Sequence, residues 1–309
     1  MSTTDPDIAI IETSSLGDRS YLISHDGIAV VIDPQRDIDR VLALATEKNA
    51  AITHVLETHI HNDYVTGGLE LARATGAEYV VPEGDPVEFE RRAVGDGDVV
   101  DAGSATFQVM HTPGHTHHHV SYVLQLGDEP IAIFTGGSML YGSTGRTDLL
   151  GSEHTDELTH AQFHSVRRIA AELPADVEVY PTHGFGSFCS ATPTSGDSST
   201  IGEQQQSNPA LTQDEQTYVD ELIAGLSAYP AYYAHMGVIN TEAPHRSTCP
   251  PQNPSTPTNY AAASTTDNGS STSAHAPPSL PDISTVPSAS SCRRHSSPTS
   301  AGSTSGVRR

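Results

Sequence analysis

Short runs of apolar and β-branched residues, separated by turn residues, dominate the first third of the chain. Runs of this kind are typical of β-strands, and they predict strands at residues 8–12, 21–24 and 28–32. Apolar positions then recur at helical spacing, which predicts a helix over residues 37–48 with Asp37 as its N-cap. The chain therefore opens with a run of strands rather than with a repeat of strand and helix.

From residue 51 onward, predicted strands alternate with predicted helices. The further strands are at residues 51–58, 78–82, 98–103, 105–113, 119–127, 130–137 and 177–184. The further helices are at residues 68–76, 153–174 and 216–230. A run of strands followed by such alternation indicates an α/β fold in which two β-sheets pack together and helices lie outside them.

The composition changes sharply near residue 245, which predicts a domain at residues 1–245 and a tail at 246–309. The tail has no Phe, no Glu and one Leu, and serine supplies 16 of its 64 residues. Such a segment buries too little apolar surface to offset the entropy of ordering it, so we expect low-complexity disorder. The net charge also changes sign, from -26 over residues 1–245 to +3 over residues 246–309. One hypothesis is that the tail is a frameshift product.

The net charge of -23 changes the picture of partners and of the cellular environment. So acidic a surface repels phosphate backbones, which argues against nucleic acid as a partner. Abundant carboxylates with a single lysine, Lys48, are the composition expected in a salt-rich, halophilic cytosol. No apolar run has the length of about 18 residues that spans a bilayer, and no signal peptide is recognisable. We therefore expect a cytoplasmic protein without a membrane partner, and a homodimer is the assembly that we consider.

Histidine occurs 17 times, and four of these residues follow the ends of predicted strands. His59 and His61 follow the strand 51–58, His115 lies in the turn HTPGHT, and His183 follows the strand VEVYP. Loops at strand ends gather at one edge of a sheet, where binding sites form. Imidazoles and a carboxylate that converge there suit zinc or iron(II). The competing interpretation is that these are polar loop residues of a histidine-rich protein.

Four motifs, in order, are THIHND before Tyr64, HTPGHT, TGG with GRTDL, and PTHG. Their spacing resembles the metallo-β-lactamase superfamily from about residue 8 to 245. The resemblance implies an αββα sandwich of two mixed β-sheets with a metal at one edge. Within the superfamily, GRTDL and PTHGFGSFC are most similar to persulfide (sulfur) dioxygenases related to glyoxalase II. Some of those enzymes carry a rhodanese domain after this point, but none is readable here.

Two positions depart from the family pattern. The family pattern HxHxDH ends here at Tyr64, and the missing histidine normally serves a second metal, which weakens a two-metal hydrolase interpretation. The family usually has TGD where this chain has TGG, so Gly137 replaces an aspartate ligand. In the iron enzymes, the resemblance assigns the ligands to His59, His115 and that aspartate. Here His61, Asp63 or water would have to complete the site.

The candidate metal ligands are therefore His59, His61, His115, His183 and Asp63, and the candidate catalytic residues are Asp63, Tyr64 and Arg146. Asp33 is expected to support the histidine loop, and Arg146 either pairs with Asp148 or meets an acidic substrate.

The resemblance favours a mononuclear iron(II) dioxygenase that oxidises a small-molecule thiol persulfide to sulfite. The first alternative is a zinc-dependent, glyoxalase II-like hydrolase of thiolesters. The second alternative is a non-catalytic, metal-depleted binding protein. The identity of the bound metal distinguishes the two enzymes from each other. The number of metal ions bound per chain distinguishes both from the non-catalytic protein.

Overall fold

The computed structural model describes residues 5–192, 194 and 196–242 of the chain. Two β-sheets form its centre. The first sheet has six strands in the order β1-β2-β3-β4-β5-β6. These strands are β1 (Asp7–Thr13), β2 (Asp18–His25), β3 (Ile28–Ile32), β4 (Ala51–Leu56), β5 (Glu78–Pro82) and β6 (Arg92–Val94). Strand β2 is antiparallel to its neighbours β1 and β3, and β3 to β6 are parallel, so the sheet is mixed.

The second sheet has five strands in the order β11-β10-β9-β8-β7. These are β7 (Val99–Ala102), β8 (Ala105–His111), β9 (Val120–Leu126), β10 (Glu129–Gly136) and β11 (Glu178–Pro181). Only β10 and β11 are parallel, because the chain leaves the sheet after β10 and returns through a helix. This sheet is also mixed, which confirms the predicted α/β sandwich.

Seven helices accompany the sheets within the residues that the structure describes. They are α1 (Ile38–Glu47), α2 (Gly68–Thr75), α3 (Thr155–Glu172), α4 (Ile201–Ser207), α5 (Pro209–Thr212), α6 (Glu215–Gly225) and α7 (Tyr233–Thr241). In the described part of the chain, no helix is long and apolar enough to cross a membrane.

Three apolar clusters hold these layers together. The middle cluster joins the facing sides of the two sheets, with Tyr21 and Leu56 from one sheet and Phe107 and Phe134 from the other. A second cluster packs the outer face of the five-stranded sheet against α3 and α6. The third packs the outer face of the six-stranded sheet against α1 and α2. Apolar burial on both faces of each sheet is what produces the four-layer αββα order.

The sequence missed four short elements, namely β6, α4, α5 and α7. Helix α7 shows why, since one of its two buried residues is the polar Asn240. A helix anchored by polar contacts lacks the apolar stripe that periodicity detects. The predicted helix 216–230 ends at Gly225, because Leu226 adopts extended backbone angles, φ -64° and ψ 121°. The predicted boundary at residue 245 and the tail 246–309 lie outside the described residues.

Candidate metal centre

Loops that follow the strands gather the candidate residues at one edge of the two sheets. His59 and His61 follow β4, which runs parallel to its neighbour β3. His115 lies in the turn between β8 and β9, Gly137 follows β10, and His183 follows β11. Because β10 and β11 are parallel neighbours, the residues after both strands emerge on the same side. The fold thus brings together histidines that are distant in sequence.

His59, His115 and His183 form a group of fully buried imidazoles. One ring nitrogen from each lies within 4.8 Å of the other two. Nε2 of His59 is 3.3 Å from Nε2 of His183, and Nε2 of His115 is buried without a hydrogen-bond partner. A buried nitrogen left unpaired among other nitrogens is costly unless a cation completes the group. This donor set therefore fits a metal ion.

A hydrogen-bond chain fixes the orientation of His59. The Thr58 hydroxyl donates to Oδ2 of Asp33 over 2.8 Å. Since a hydroxyl has one proton, its oxygen must accept the 2.8 Å hydrogen bond from Nδ1 of His59. Nε2 of His59 then carries a lone pair that faces the other two rings. Burial and the neighbouring imidazoles hold the pKa of His59 well below its usual value, so the ring is neutral. Asp33 thus contacts the histidine loop in the supporting position that the sequence predicts.

Backbone and carboxylate acceptors orient the other two rings. Nδ1 of His115 donates to the carbonyl of Arg146 over 2.8 Å, and burial lowers the pKa of His115 to about 3. Nδ1 of His183 donates to Oδ1 of Asp18 over 2.9 Å. Burial disfavours a charged His183, but Asp63 and Asp18 outweigh it and raise the pKa to about 10. Without metal, the second proton of His183 lies on Nε2 and faces His59, and a metal ion would replace it.

Gly137 has no side chain, and the His115 ring packs against it in the space that a side chain would need. A Cβ atom at Gly137 would lie 2.3 Å from Cδ2 and 2.9 Å from Nε2 of His115. The backbone N–H of Gly137 donates to Nε2 of His119 over 3.0 Å, which holds this turn in place. The imidazole of His115 therefore occupies the space into which an aspartate at this position would project.

His61 lies beside this group but in a different environment. Its Nε2 is 3.3 Å from Oδ1 of Asp33, 3.3 Å from Oε2 of Glu57 and 3.0 Å from the Tyr64 hydroxyl. The Tyr64 ring also stacks on the imidazole at 4.3 Å between centroids. Burial disfavours the charged ring, yet Asp33 and Glu57 raise the pKa of His61 well above its usual value. His61 is thus a buried cation held between two carboxylates, and its Nδ1 has no hydrogen-bond partner.

Asp63 adjoins both groups of histidines. Its Oδ2 is 3.2 Å from Nδ1 of His183, and both carboxylate oxygens are buried without a hydrogen-bond partner. Burial opposes ionisation, but His183 outweighs it and lowers the pKa of Asp63. Burial, together with Asp63, raises the pKa of Asp18 to about 7. His61, Asp63 and His183 form a second group of possible ligand atoms within 4.8 Å of one another. The structure therefore brings together all five candidate metal ligands.

Arg146 does not present its guanidinium to the histidines. The side chain is 2% exposed, and its Nε and Nη2 donate to Asp148 over 2.7 and 2.8 Å. Nη1 and Nη2 also donate to the carbonyls of Phe188 and Ser227. This geometry favours the structural pairing with Asp148 over contact with an acidic substrate. Arg146 instead contributes its backbone carbonyl, which orients His115.

Sequence reasoning missed two buried carboxylates around the histidines. Glu57 lies inside the predicted strand 51–58, and Asp18 lies among the turn residues before the predicted strand 21–24. Neither residue belongs to a motif of fixed spacing that would have identified it. His119 hydrogen-bonds Thr112 through Nδ1 and Gly137 through Nε2. The run of three histidines that ends at His119 is a signal, but it does not indicate which ring is buried.

A cleft of about 350 Å³ opens beside the metal-binding group. Ile60, Asn62 and Thr116, neighbours of the candidate ligands, line one side, and Tyr233 of α7 lines the other. Asn240 of α7 donates to the carbonyls of His61 and Tyr64 over 2.8 and 2.9 Å. Helix α7 is therefore fixed to the histidine loop, and the cleft lies next to residues adjacent in sequence to the candidate ligands.

Comparison with known proteins agrees with this architecture. Residues 18–183 match the sequence profile of the Metallo-beta-lactamase superfamily. The chain belongs to this superfamily. A crystal structure of a metallo-beta-lactamase from Staphylococcus aureus subsp. aureus COL superposes with a TM-score of 0.72 at 31% identity. That match covers 77% of this chain and 73% of the other.

Two further relatives of this superfamily member carry different names. Hydroxyacylglutathione hydrolase of Aliivibrio fischeri (strain MJ11) is 36% identical over 163 residues, which are 52% of this chain and 59% of the relative. ETHE1 from Myxococcus xanthus superposes with a TM-score of 0.67 at 27% identity, covering 77% of this chain and all of the other, 100%. This chain thus spans about three fifths of the length of its curated relatives.

Proposed function

We propose that this protein hydrolyses small-molecule thiolesters with one metal ion held by His59, His115 and His183. The observation that carries the proposal is the all-imidazole donor set, in which Nε2 of His115 is buried and unpaired. Three histidines with one open position are a zinc donor set found in enzymes that activate a zinc-bound water, whereas iron(II) oxygenases use two histidines and a carboxylate. A bound zinc ion supplies Lewis acidity toward water and the thiolester carbonyl.

The surrounding residues hold the three rings ready for the metal. The Thr58 hydroxyl oxygen, the carbonyl of Arg146 and the carboxylate of Asp18 each accept a hydrogen bond from Nδ1–H of one ring, so each imidazole turns Nε2 inward. Acceptors of this kind fix the tautomer and make the ligand nitrogen more basic. The three imidazole rings are therefore already oriented, and they need little rearrangement when a metal ion binds.

We assign to Asp63 the role of orienting the water molecule that attacks the substrate. Its carboxylate is ionised, buried and without a hydrogen-bond partner, and it lies 3.2 Å from His183. An acceptor in this position orients a water molecule for attack on a carbonyl. Tyr64 has a different place in the proposal, because its hydroxyl hydrogen-bonds His61 and so anchors that ring away from the metal.

A second candidate is iron(II)-dependent oxidation of a thiol persulfide. It is supported by Tyr64, which replaces the histidine of a second metal site, and by the similarity to ETHE1 along the whole length of that protein. Asp63 would have to supply the carboxylate that Gly137 lacks. The non-catalytic function remains as the outcome in which no metal binds.

Metal content together with two assays tests the proposal. The full chain is prepared metal-free in high salt and loaded with zinc or iron(II) under anaerobic conditions. Bound metal per chain is measured by mass spectrometry. Thiol release from a thiolester is then followed with the zinc form, and oxygen uptake with a low-molecular-weight persulfide is followed with the iron form.

One zinc per chain with zinc-dependent thiol release supports the hydrolase. Iron-dependent oxygen uptake with sulfite as product, and no thiol release, replaces it with the dioxygenase. Absence of bound metal in both preparations indicates the non-catalytic function. A cytoplasmic location, a halophilic surface, a homodimer and the absence of nucleic-acid partners stay predictions from the sequence.

A further inference from the structure

The cleft beside the imidazoles has an unusual charge distribution for a thiolester site. None of its described lining residues is lysine or arginine, although one relative named above, hydroxyacylglutathione hydrolase, acts on a glutathione derivative by name. Glutathione carries two carboxylates and one ammonium group, so its net charge is negative. An anionic carrier of this kind calls for cationic partners in the cleft.

Asp85 supplies a carboxylate instead. It lines the cleft and is 5% exposed, and its Oδ2 is buried without a hydrogen-bond partner. The backbone N–H of Ile60 hydrogen-bonds the same side chain, so the carboxylate is fixed one residue away from His59 and His61. A buried carboxylate oxygen without a partner is costly unless a ligand supplies one.

Among the described residues, no cation donates a hydrogen bond to the Asp85 carboxylate. Burial raises the pKa of Asp85 to about 7, although His61 and Arg91 nearby favour its charged form. Arg91 donates to the backbone carbonyls of Asp85 and Glu83, and its side chain lines a separate groove. His118 lines the cleft, but burial and the neighbouring histidines lower its pKa and favour the neutral ring. The remaining wall beside Asp85 includes Leu149, Leu150 and Val238, which are apolar.

We propose that this cleft selects thiolesters of a cationic thiol carrier, with the positive group of the carrier paired to Asp85. The inference rests on the proposed thiolester hydrolysis and names its substrate class. The apolar wall would contact the carbon skeleton of the carrier, and the carbonyl would lie toward the imidazoles. A neutral carrier would bind less well, and glutathione would be disfavoured by repulsion between its carboxylates and Asp85.

Three acetyl thiolesters that differ in carrier charge test this selection. Acetylthiocholine is cationic, S-acetyl-N-acetylcysteamine is neutral and S-acetylglutathione is anionic. The kcat/KM for each is measured with the zinc-loaded full chain at pH 8 and one fixed salt concentration. The variants are Asp85→Asn, which keeps the volume and an acceptor for Ile60, and Glu88→Gln, which removes an exposed carboxylate nearby.

The wild-type protein is expected to prefer the cationic ester, then the neutral ester, then the anionic one. Asp85→Asn should reduce the preference for cationic over neutral ester about tenfold, because a short-range charge pair in a cleft is lost. Glu88→Gln should leave that ratio within about twofold. Preference for the glutathione ester, or an unchanged ratio in Asp85→Asn, overturns the inference while the hydrolase proposal stands.

A separate binding measurement covers the case in which no ester is hydrolysed, which defeats the proposed hydrolysis. Isothermal titration then compares thiocholine, N-acetylcysteamine and glutathione with the wild-type and Asp85→Asn proteins. Tighter binding of thiocholine that Asp85→Asn removes supports a cation-selective cleft. Equal binding of all three thiols, or tighter binding of glutathione, rejects it.

Discussion

His59 and His61 are two residues apart and equally buried, yet the structure places them in opposite electrostatic environments. His59 faces other imidazoles and is neutral, whereas His61 faces Asp33 and Glu57 and is charged. Burial lowers the pKa of both rings, so the difference comes from their neighbours: imidazoles lower the pKa of His59 further, and carboxylates raise that of His61. The comparison teaches that an HxH motif supplies two imidazoles, while the surrounding carboxylates decide what each one does.

The largest effect, on the free energy of unfolding, is expected when the charged histidine His61 is replaced. His61→Asn should lower the free energy of unfolding of the metal-free protein by about 3–5 kcal/mol, because it leaves buried carboxylates without their cation. Chemical denaturation measures the loss. His160→Asn is the control, since His160 pairs with Glu215 at the surface. A loss below about 1 kcal/mol would mean that Asp33 and Glu57 do not depend on the charge of His61.

The neutral histidine should show the reverse behaviour. His59→Asn is expected to weaken zinc binding by more than about 100-fold, since a direct ligand contributes more than the residues that orient it. Stability of the metal-free protein should change by only about 1 kcal/mol. Equilibrium dialysis and denaturation measure the two quantities on one preparation. Retention of wild-type zinc affinity would place the metal elsewhere, with the group of His61, Asp63 and His183 as the next candidate.

Gly137 tests whether the group of His59, His115 and His183 can accept the family's aspartate. Gly137→Asp is expected to weaken zinc binding and to lower the free energy of unfolding by about 1–3 kcal/mol, because its Cβ overlaps the His115 ring. Gly137→Ala separates the effect of the added carbon from that of the carboxylate. Tighter zinc binding in Gly137→Asp alone would show that His115 moves aside and that the carboxylate joins the ligands.

The smallest expected effect concerns the support of His59. Thr58→Val keeps the shape but removes the hydroxyl that links Asp33 to Nδ1 of His59. Zinc affinity should fall about tenfold, the lower end of the effect of residues that orient a ligand. Thr53→Val on β4, the strand that precedes Thr58, serves as the matched control, since its hydroxyl contacts only His54 among the described hydrogen bonds. Equal affinities in the two variants would remove the orienting role of Thr58.

Sequence reasoning reached the fold and the histidines for the same reason. Apolar alternation marks strands such as β3 and β4, and polar residues at their ends mark the edge where a site forms. The short elements escaped because their anchors are polar, as with Asn240 in α7. The sequence left two roles open for Arg146, because a guanidinium near a site motif looks the same in sequence whether it faces substrate or, as here, pairs with Asp148.

The sequence by itself determined the two-sheet sandwich, the superfamily and the set of histidines at the strand ends, because these depend on local periodicity and on motifs of fixed spacing. Only the tertiary structure decided which imidazoles are neutral, how His115 fills the space beside Gly137, and that Asp85 lines the cleft. These properties depend on carboxylates and backbone groups that come from distant strands, such as Asp18 on β2 beside His183 after β11. Charge and desolvation act through space, and one-dimensional spacing does not record those distances.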